Sequence, residues 1–184
     1  MATVATKPMT AEEFYLTEEP EPGRYELVKG EIVFMPPPGF RHGEVQMNVG
    51  FAIKTYLMTN RIGRVVTESG AITERDPDSV RGPDVSYYSQ ERLPFGAEVI
   101  AYHDRPPDLV AEVVSPDDTK AELKAKVKEY LAAGVRVVWV VHPRDRTVTV
   151  FTEPRKSTVL EADATLTAED VLPGFSCPVA DLFA

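Results

Sequence analysis

The chain predicts an α/β fold built on a mixed β-sheet. Residues 109–114 (LVAEVV) and 135–141 (VRVVWVV) read as buried, largely apolar strands, and a helical stretch over 117–133 separates them. A strand–helix–strand unit of this kind sets its two strands parallel. The earlier strands follow one another across tight turns, as antiparallel hairpins do. At 184 residues, 43% hydrophobic and 27% charged, the chain fits one soluble domain over 1–184. Within it we expect an N-terminal helix and hairpin (1–38), a core (39–145) and a C-terminal hairpin and tail (146–184).

Each element has a local cause. Thr10-Ala11-Glu12-Glu13 has the form of a capping box and starts a short helix through about Leu16. A Pro- and Glu-rich connector over 18–23 follows. Residues 25–28 and 31–35 are strands around Lys29-Gly30, and Pro36-Pro37-Pro38 stops their pairing. Val45, Val49, Ala52, Ile53, Tyr56 and Leu57 recur at helical spacing over 42–59. Val65-Val66 and Ala71-Ile72-Thr73 are strand material, Asp76-Pro77-Asp78 is a turn, and 83–88 is a further strand carrying Asp84 near its start. Residues 89–107 read as loop with one short helical turn. Ser115-Pro116 stops the strand at 109–114 and opens the helix at 117, which ends against Gly134. Residues 147–151 and 157–160 suggest a closing hairpin, and 171–175 lie in the C-terminal segment.

Composition removes some functions. Cys177 is the only cysteine, so the chain makes neither an internal disulfide nor a cysteine-rich zinc site. The N-terminal stretch lacks the apolar run of a signal peptide and nothing approaches a membrane span, so a cytoplasmic protein is expected. The formal charge of −9 argues against strong non-specific nucleic-acid binding, although a local basic face or a divalent metal overrides net charge.

One residue is out of place. Glu112 stands in the middle of a strand expected to be buried, where an ionised group is costly unless something pairs with it. Asp108 is on the same side of the strand, but four residues span roughly 13 Å, and ligands of one Mg²⁺ each lie about 2.1 Å from it. Asp108 is better placed as a turn or cap residue. Asp84, at the mouth of a different strand, is the candidate partner, because neighbouring strands bring side chains within reach of a shared ion. The plainer alternatives are a Glu112 satisfied by backbone donors or a lysine, and an Asp84 that only shapes a turn. On the following helix Leu123, Val127, Tyr130 and Leu131 form the inward stripe, flanked on opposite sides by Lys124 and Lys126. Periodicity does not choose between these lysines, and Lys120 and Lys128 are usable as well.

An acid, a distant Glu in a buried strand and a lysine resemble the PD-(D/E)xK nuclease superfamily. More closely, MTAEEFYL, RYELVKGEIVFMPPP, HGEV, VRGPDVSYYS, PPDLVAEVVSP, KAKVKEYLAAGVRVVWVV and VLPGFSCPVADLF resemble the Uma-type family of restriction-endonuclease-like proteins, in order and over nearly the whole chain. The resemblance implies a restriction-endonuclease-like sheet flanked by helices around one metal-centred site. Asp84 and Glu112 match the acidic ligands of the family. The superfamily lysine two positions after the acid is Val114 here, and the family's K-x-x-x-Y pattern selects Lys126, with Tyr130. Glu26 and His42 match recurrent positions near the site. His142 stands where the family often has Asp.

The implied function is a Mg²⁺- or Mn²⁺-dependent endonuclease acting on DNA. Asp84, Glu112 and the Val113 carbonyl would hold the metal, and Lys126 would act on the attacking water. Glu26 would be a supporting or second-metal acid, and His42 a phosphate contact or relay. A homodimer built on the N-terminal helix and hairpin is expected. A catalytically silent nucleic-acid- or protein-binding module and a purely structural ion network are the alternatives.

Overall fold

The computed structural model describes residues 7–18 and 23–184, so the expected connector lies largely outside the described residues. α1 (Ala11–Leu16) starts at the expected capping box: Glu13 N–H donates to Thr10 Oγ1 and Thr10 N–H to Glu13 Oε2. β1 (Arg24–Val28) and β2 (Glu31–Met35) pair antiparallel around Lys29 and Gly30, both at positive φ (51° and 81°), as a tight right-twisted hairpin requires.

α2 (Phe40–Thr59) buries Val45, Val49, Ile53 and Leu57 on one side, with His42 and Gln46 beside them. Then come β3 (Gly63–Thr67), β4 (Ala71–Glu74), β5 (Ser79–Arg81) and β6 (Val85–Ser89). β5 is too short to show a sequence period. β6 starts at Val85 rather than at 83, since Pro83 has no N–H to give and Asp84 turns its side chain to β7 (Leu109–Val113). In the intervening loop Leu93 N–H returns to Ser89 O, which is the expected single helical turn.

α3 (Lys120–Ala133) begins at 120 and not at 117. Thr119 makes a second capping box with Glu122, and this outcompetes the start offered by Pro116. Gly134 ends it in the left-handed region (φ 101°) with its N–H on Tyr130 O and Leu131 O. β8 (Val137–His142) starts two residues late, because Val135 and Arg136 still bond to Tyr130 O and Asp108 O. β9 (Thr147–Glu153) and β10 (Lys156–Leu160) form the expected hairpin. β11 (Thr165–Ala168) and β12 (Leu172–Pro178) form another hairpin before a short 3₁₀ helix, Val179–Phe183.

The central sheet runs β10-β9-β8-β7-β6-β3, with β7 and β8 parallel and its other pairs antiparallel. This is the mixed α/β sheet that the sequence predicts. A second sheet, β2-β1-β5-β4, contains the N-terminal hairpin. Strand alternation divides the core in two. Leu109, Ala111, Val113, Val137, Trp139 and Val141 pack against α2, β12 and the 3₁₀ helix, with Trp139 stacked on Phe175. Val110, Val138 and Val140 face Val127 and Tyr130 of α3. Glu112 shares the parity of Val110 and therefore projects towards α3. Strands β7 and β8 thus have both faces covered, which is why they read as continuous apolar runs.

Candidate active site

The pairing of β6 with β7 sets Val85 opposite Ala111 and Ser86 opposite Val110. Continued by one residue, that register sets Asp84 opposite Glu112. Both side chains are buried, and directly opposed residues have Cβ atoms about 4.5–5.5 Å apart. The two acids are distant in sequence, and the strand pairing brings Asp84, just before β6, alongside β7.

Asp84 is held at both oxygens. Its Oδ2 accepts the Val113 N–H at 2.7 Å, and its Oδ1 accepts from His42 Nε2 at 3.0 Å. The other ring nitrogen of His42 lies 2.9 Å from Ser115 Oγ. Burial pushes the His42 imidazolium towards deprotonation, but the hydrogen bond and charge of Asp84 prevail and hold its pKa above the ordinary value. Gln46, one turn along α2, donates to the Asp84 backbone oxygen at 3.1 Å and to Glu68 Oε1 at 3.1 Å. Each Asp84 oxygen keeps a second lone pair for another partner.

Glu112 is held from α3. Tyr130 Oη donates to Oε1 at 2.5 Å, and Lys126 Nζ lies 3.5 Å from Oε2. Lys126 and Tyr130 are four residues apart and so project from one helix face. Burial pushes the Glu112 carboxyl up to about 7; Lys126 and the Tyr130 hydroxyl pull it down, while the charges of Asp84 and Glu26 push it up. Lys126 stays cationic: burial lowers its pKa, yet Glu112 and Glu26 raise it above the ordinary value.

Glu26 enters from the second sheet. Its Oε1 lies 3.6 Å from Lys126 Nζ and accepts the Gly82 N–H at 3.1 Å, and its Oε2 accepts from Arg81 at 2.9 Å. Arg81 also grips Glu129 of α3 through two nitrogens, at 2.8 and 2.6 Å. This clamp fixes the second sheet to α3 and leaves Lys126 shared between Glu26 and Glu112.

The structure therefore links Glu26, Lys126 and Glu112 through direct contacts, and sets Asp84 with His42 on the adjoining strand end. Val113 contributes its N–H to Asp84. Asp108 lies apart as a cap: it accepts from Ser89 N–H and pairs with Arg92 and Arg136. The His142 ring bonds the Thr149 hydroxyl instead of a site residue. Sequence reasoning missed Gln46, Ser115 and Arg81 and did not foresee that Tyr130 bonds Glu112. Gln46 follows His42 by one helical turn, a spacing that could have indicated it.

Among the described residues, no group of three or more His, Cys, Asp and Glu side chains is arranged to hold a metal ion. Mg²⁺ does not need one, because it commonly binds one or two carboxylates and takes its other ligands from water and substrate phosphate. Burial is the first cause of the raised Glu112 pKa, and the charges of Asp84 and Glu26 add to it against Lys126 and the Tyr130 hydroxyl. Two buried hard oxygen donors fit a small divalent cation.

A family model described as "Uma2: Putative restriction endonuclease" matches residues 11–180. A crystal structure from Anabaena variabilis ATCC 29413, described as that of "a putative nuclease belonging to DUF820", superposes with a TM-score of 0.81. It is 26% identical in sequence, over 96% of this chain and 98% of that one. The mixed sheet with its flanking helices is thus shared with a nuclease-like structure. No curated protein matches the chain. Among the described residues no helix is long and apolar enough to cross a membrane.

Proposed function

The chain belongs to the Uma2 family of restriction-endonuclease-like proteins, and from that premise we propose that it is a Mg²⁺- or Mn²⁺-dependent endodeoxyribonuclease. The observation that carries this reading is the pair of buried acids, Glu112 within β7 and Asp84 just before β6 and bonded to the Val113 N–H of β7, with Lys126 beside Glu112. Asp84, Glu112 and the Val113 carbonyl are the proposed ligands. When bound, the cation lowers the pKa of a coordinated water and draws charge from a phosphate oxygen.

The side chains of the chain have separate tasks. Val113 N–H and His42 fix the Asp84 carboxylate in one orientation, and Tyr130 does the same for Glu112. Such outer contacts set ligand direction and affinity. Lys126 keeps a positive charge next to Glu112, where it orients the attacking water and offsets charge gathering on the phosphorus centre. Glu26 holds Lys126 in place from the opposite side. His42 is a positioning residue for Asp84, with its other ring nitrogen tied to the Ser115 hydroxyl. Duplex DNA has two strands to cut, and a twofold dimer of the chain would present two such sites.

A catalytically silent binding module is the second reading. It is favoured by the formal charge of −9 and by protein partners already present on Glu26, Asp84 and Glu112. Incubation of supercoiled plasmid and of oligonucleotides with Mg²⁺ or Mn²⁺, wild type beside Glu112→Ala, separates the two. Metal-dependent nicking by the wild type and none by the variant is expected. A wild type that is inert with both metals contradicts the nuclease reading.

A further inference from the structure

α2 carries an exposed apolar stripe that no part of the described chain covers. Phe40, Met47, Phe51 and Met58 are 88%, 68%, 67% and 72% exposed. At 100° per residue they fall within about 40° of one another on the helix, opposite the buried Val45, Val49 and Ile53. Scattered surface apolar residues need no explanation, but four large ones aligned along 20 residues form a patch. Grooves of about 500 and 660 Å³ run along the two sides of this ridge, and Phe51 lines both. Gly43 lies on the same face with nothing within 4 Å of where a Cβ would stand. Gly50 follows one heptad later. Glycine weakens a solvated helix relative to alanine, and it permits close approach of another backbone.

The order of residues along the stripe names its occupant. Met47 and Phe51 lie two residues on either side of Val49, Glu44 and Lys54 five, and Phe40 and Met58 nine. A helix packed antiparallel on its own copy, with the twofold axis at the height of Val49, therefore sets Met47 on the partner's Phe51. It also sets Phe40 on the partner's Met58 and Glu44 on the partner's Lys54. Every match occurs twice, as an isologous contact requires. The stripe is self-complementary in both apolarity and charge.

We infer that α2 is a homodimer interface, in which two copies pack antiparallel along the Phe40–Met47–Phe51–Met58 stripe with reciprocal Glu44–Lys54 pairs. At their exposures the four side chains bury roughly 150 Å² each, about 1,200 Å² over both copies, which reaches the size of a stable interface. A shallow crossing angle near 20° keeps the end pairs in contact. The proposal puts the contact on α2, where the sequence reading expects the N-terminal helix and hairpin. It rests on the helix and holds whether or not the chain cleaves DNA.

Sedimentation equilibrium at tens of micromolar tests it without reference to catalysis. The wild type sediments as a dimer, and Phe51→Glu, an exposed change whose folding is checked by circular dichroism, sediments as a monomer. Glu44→Lys and Lys54→Glu, each of which turns two attractive pairs into two repulsive ones, raise the dimer dissociation constant about tenfold. The double variant Glu44→Lys/Lys54→Glu restores both interhelical pairs with reversed sign and dimerises more tightly than either single variant, the Arg41–Glu44 pair within each helix being lost in both proteins that carry Glu44→Lys. A monomeric wild type overturns the inference. So does a dimer indifferent to Phe51→Glu, or a double swap no tighter than the single ones.

Discussion

Replacing Glu112 by Gln removes a charge and keeps the oxygen that accepts from Tyr130. In the folded protein the Glu112 carboxyl titrates near 7 instead of 4.5, because burial and the charge of Asp84 outweigh Lys126 and the Tyr130 hydroxyl. Between those two pH values the metal-free folded chain holds a proton that the unfolded chain has lost. Stability therefore falls as pH rises from about 4.5 to about 7, is unaffected by this group below that window, and stays reduced above it. A shift of roughly 2.5 units at about 1.4 kcal/mol each amounts to about 3 kcal/mol. The glutamine variant lacks this penalty, and Lys126 retains Glu26, so no buried cation is stranded. Without metal, the variant should thus gain about 3 kcal/mol relative to the wild type between pH 4 and pH 8, roughly 6–12 °C in Tm for a domain of this size. Denaturant and thermal melts in EDTA at both pH values measure it. A difference between the two proteins that is flat with pH, or that moves in favour of the wild type at pH 8, refutes the reasoning.

Other consequences follow from the same contacts. Lys126→Met should destabilise the protein by roughly 3 kcal/mol at pH 8 and by less at pH 5, because Glu112 loses its cation only while ionised; urea melts at the two pH values check this. Tyr130→Phe leaves one buried carboxylate oxygen without its donor and should cost about 1.5–3 kcal/mol at pH 8, measured in the same melts. His42→Asn releases Asp84 Oδ1 and should weaken Mn²⁺ binding by roughly tenfold or more in calorimetric titration, with little change in fold by circular dichroism. Mn²⁺ at about 100 times its dissociation constant should stabilise the wild type by roughly 2.7 kcal/mol and leave Asp84→Asn unmoved.

Much of the fold was legible because local and tertiary signals agreed. LVAEVV and VRVVWVV are apolar without alternation because α2 and α3 cover both faces of β7 and β8. The Lys29-Gly30 hairpin and the Gly134 cap each follow from a backbone conformation that glycine supplies. Short or competing signals failed. Ser79-Val80-Arg81 is too brief to show a period, and two possible starts for α3 stood three residues apart in sequence. At the site, Glu112 was conspicuous because a carboxylate is costly in a buried strand. Lys126 could not be told from Lys124 by spacing, since both flank the stripe, and only the family pattern favoured it. The sharing of Lys126 between Glu26 and Glu112 had no sequence signal, because it depends on how the second sheet docks on α3 through Arg81 and Glu129. The tie from His42 to Asp84 likewise joins two elements 42 positions apart.

The central claim is that Asp84 and Glu112 share one divalent cation. Calorimetric titration of the purified chain with Mn²⁺ at pH 8 tests it most directly, with Asp84→Asn and Glu112→Gln as parallel samples. The account predicts one Mn²⁺ per chain for the wild type and loss of that binding in each variant, with both variants still folded. Binding that survives either substitution, or a wild type that takes up no Mn²⁺, would contradict it.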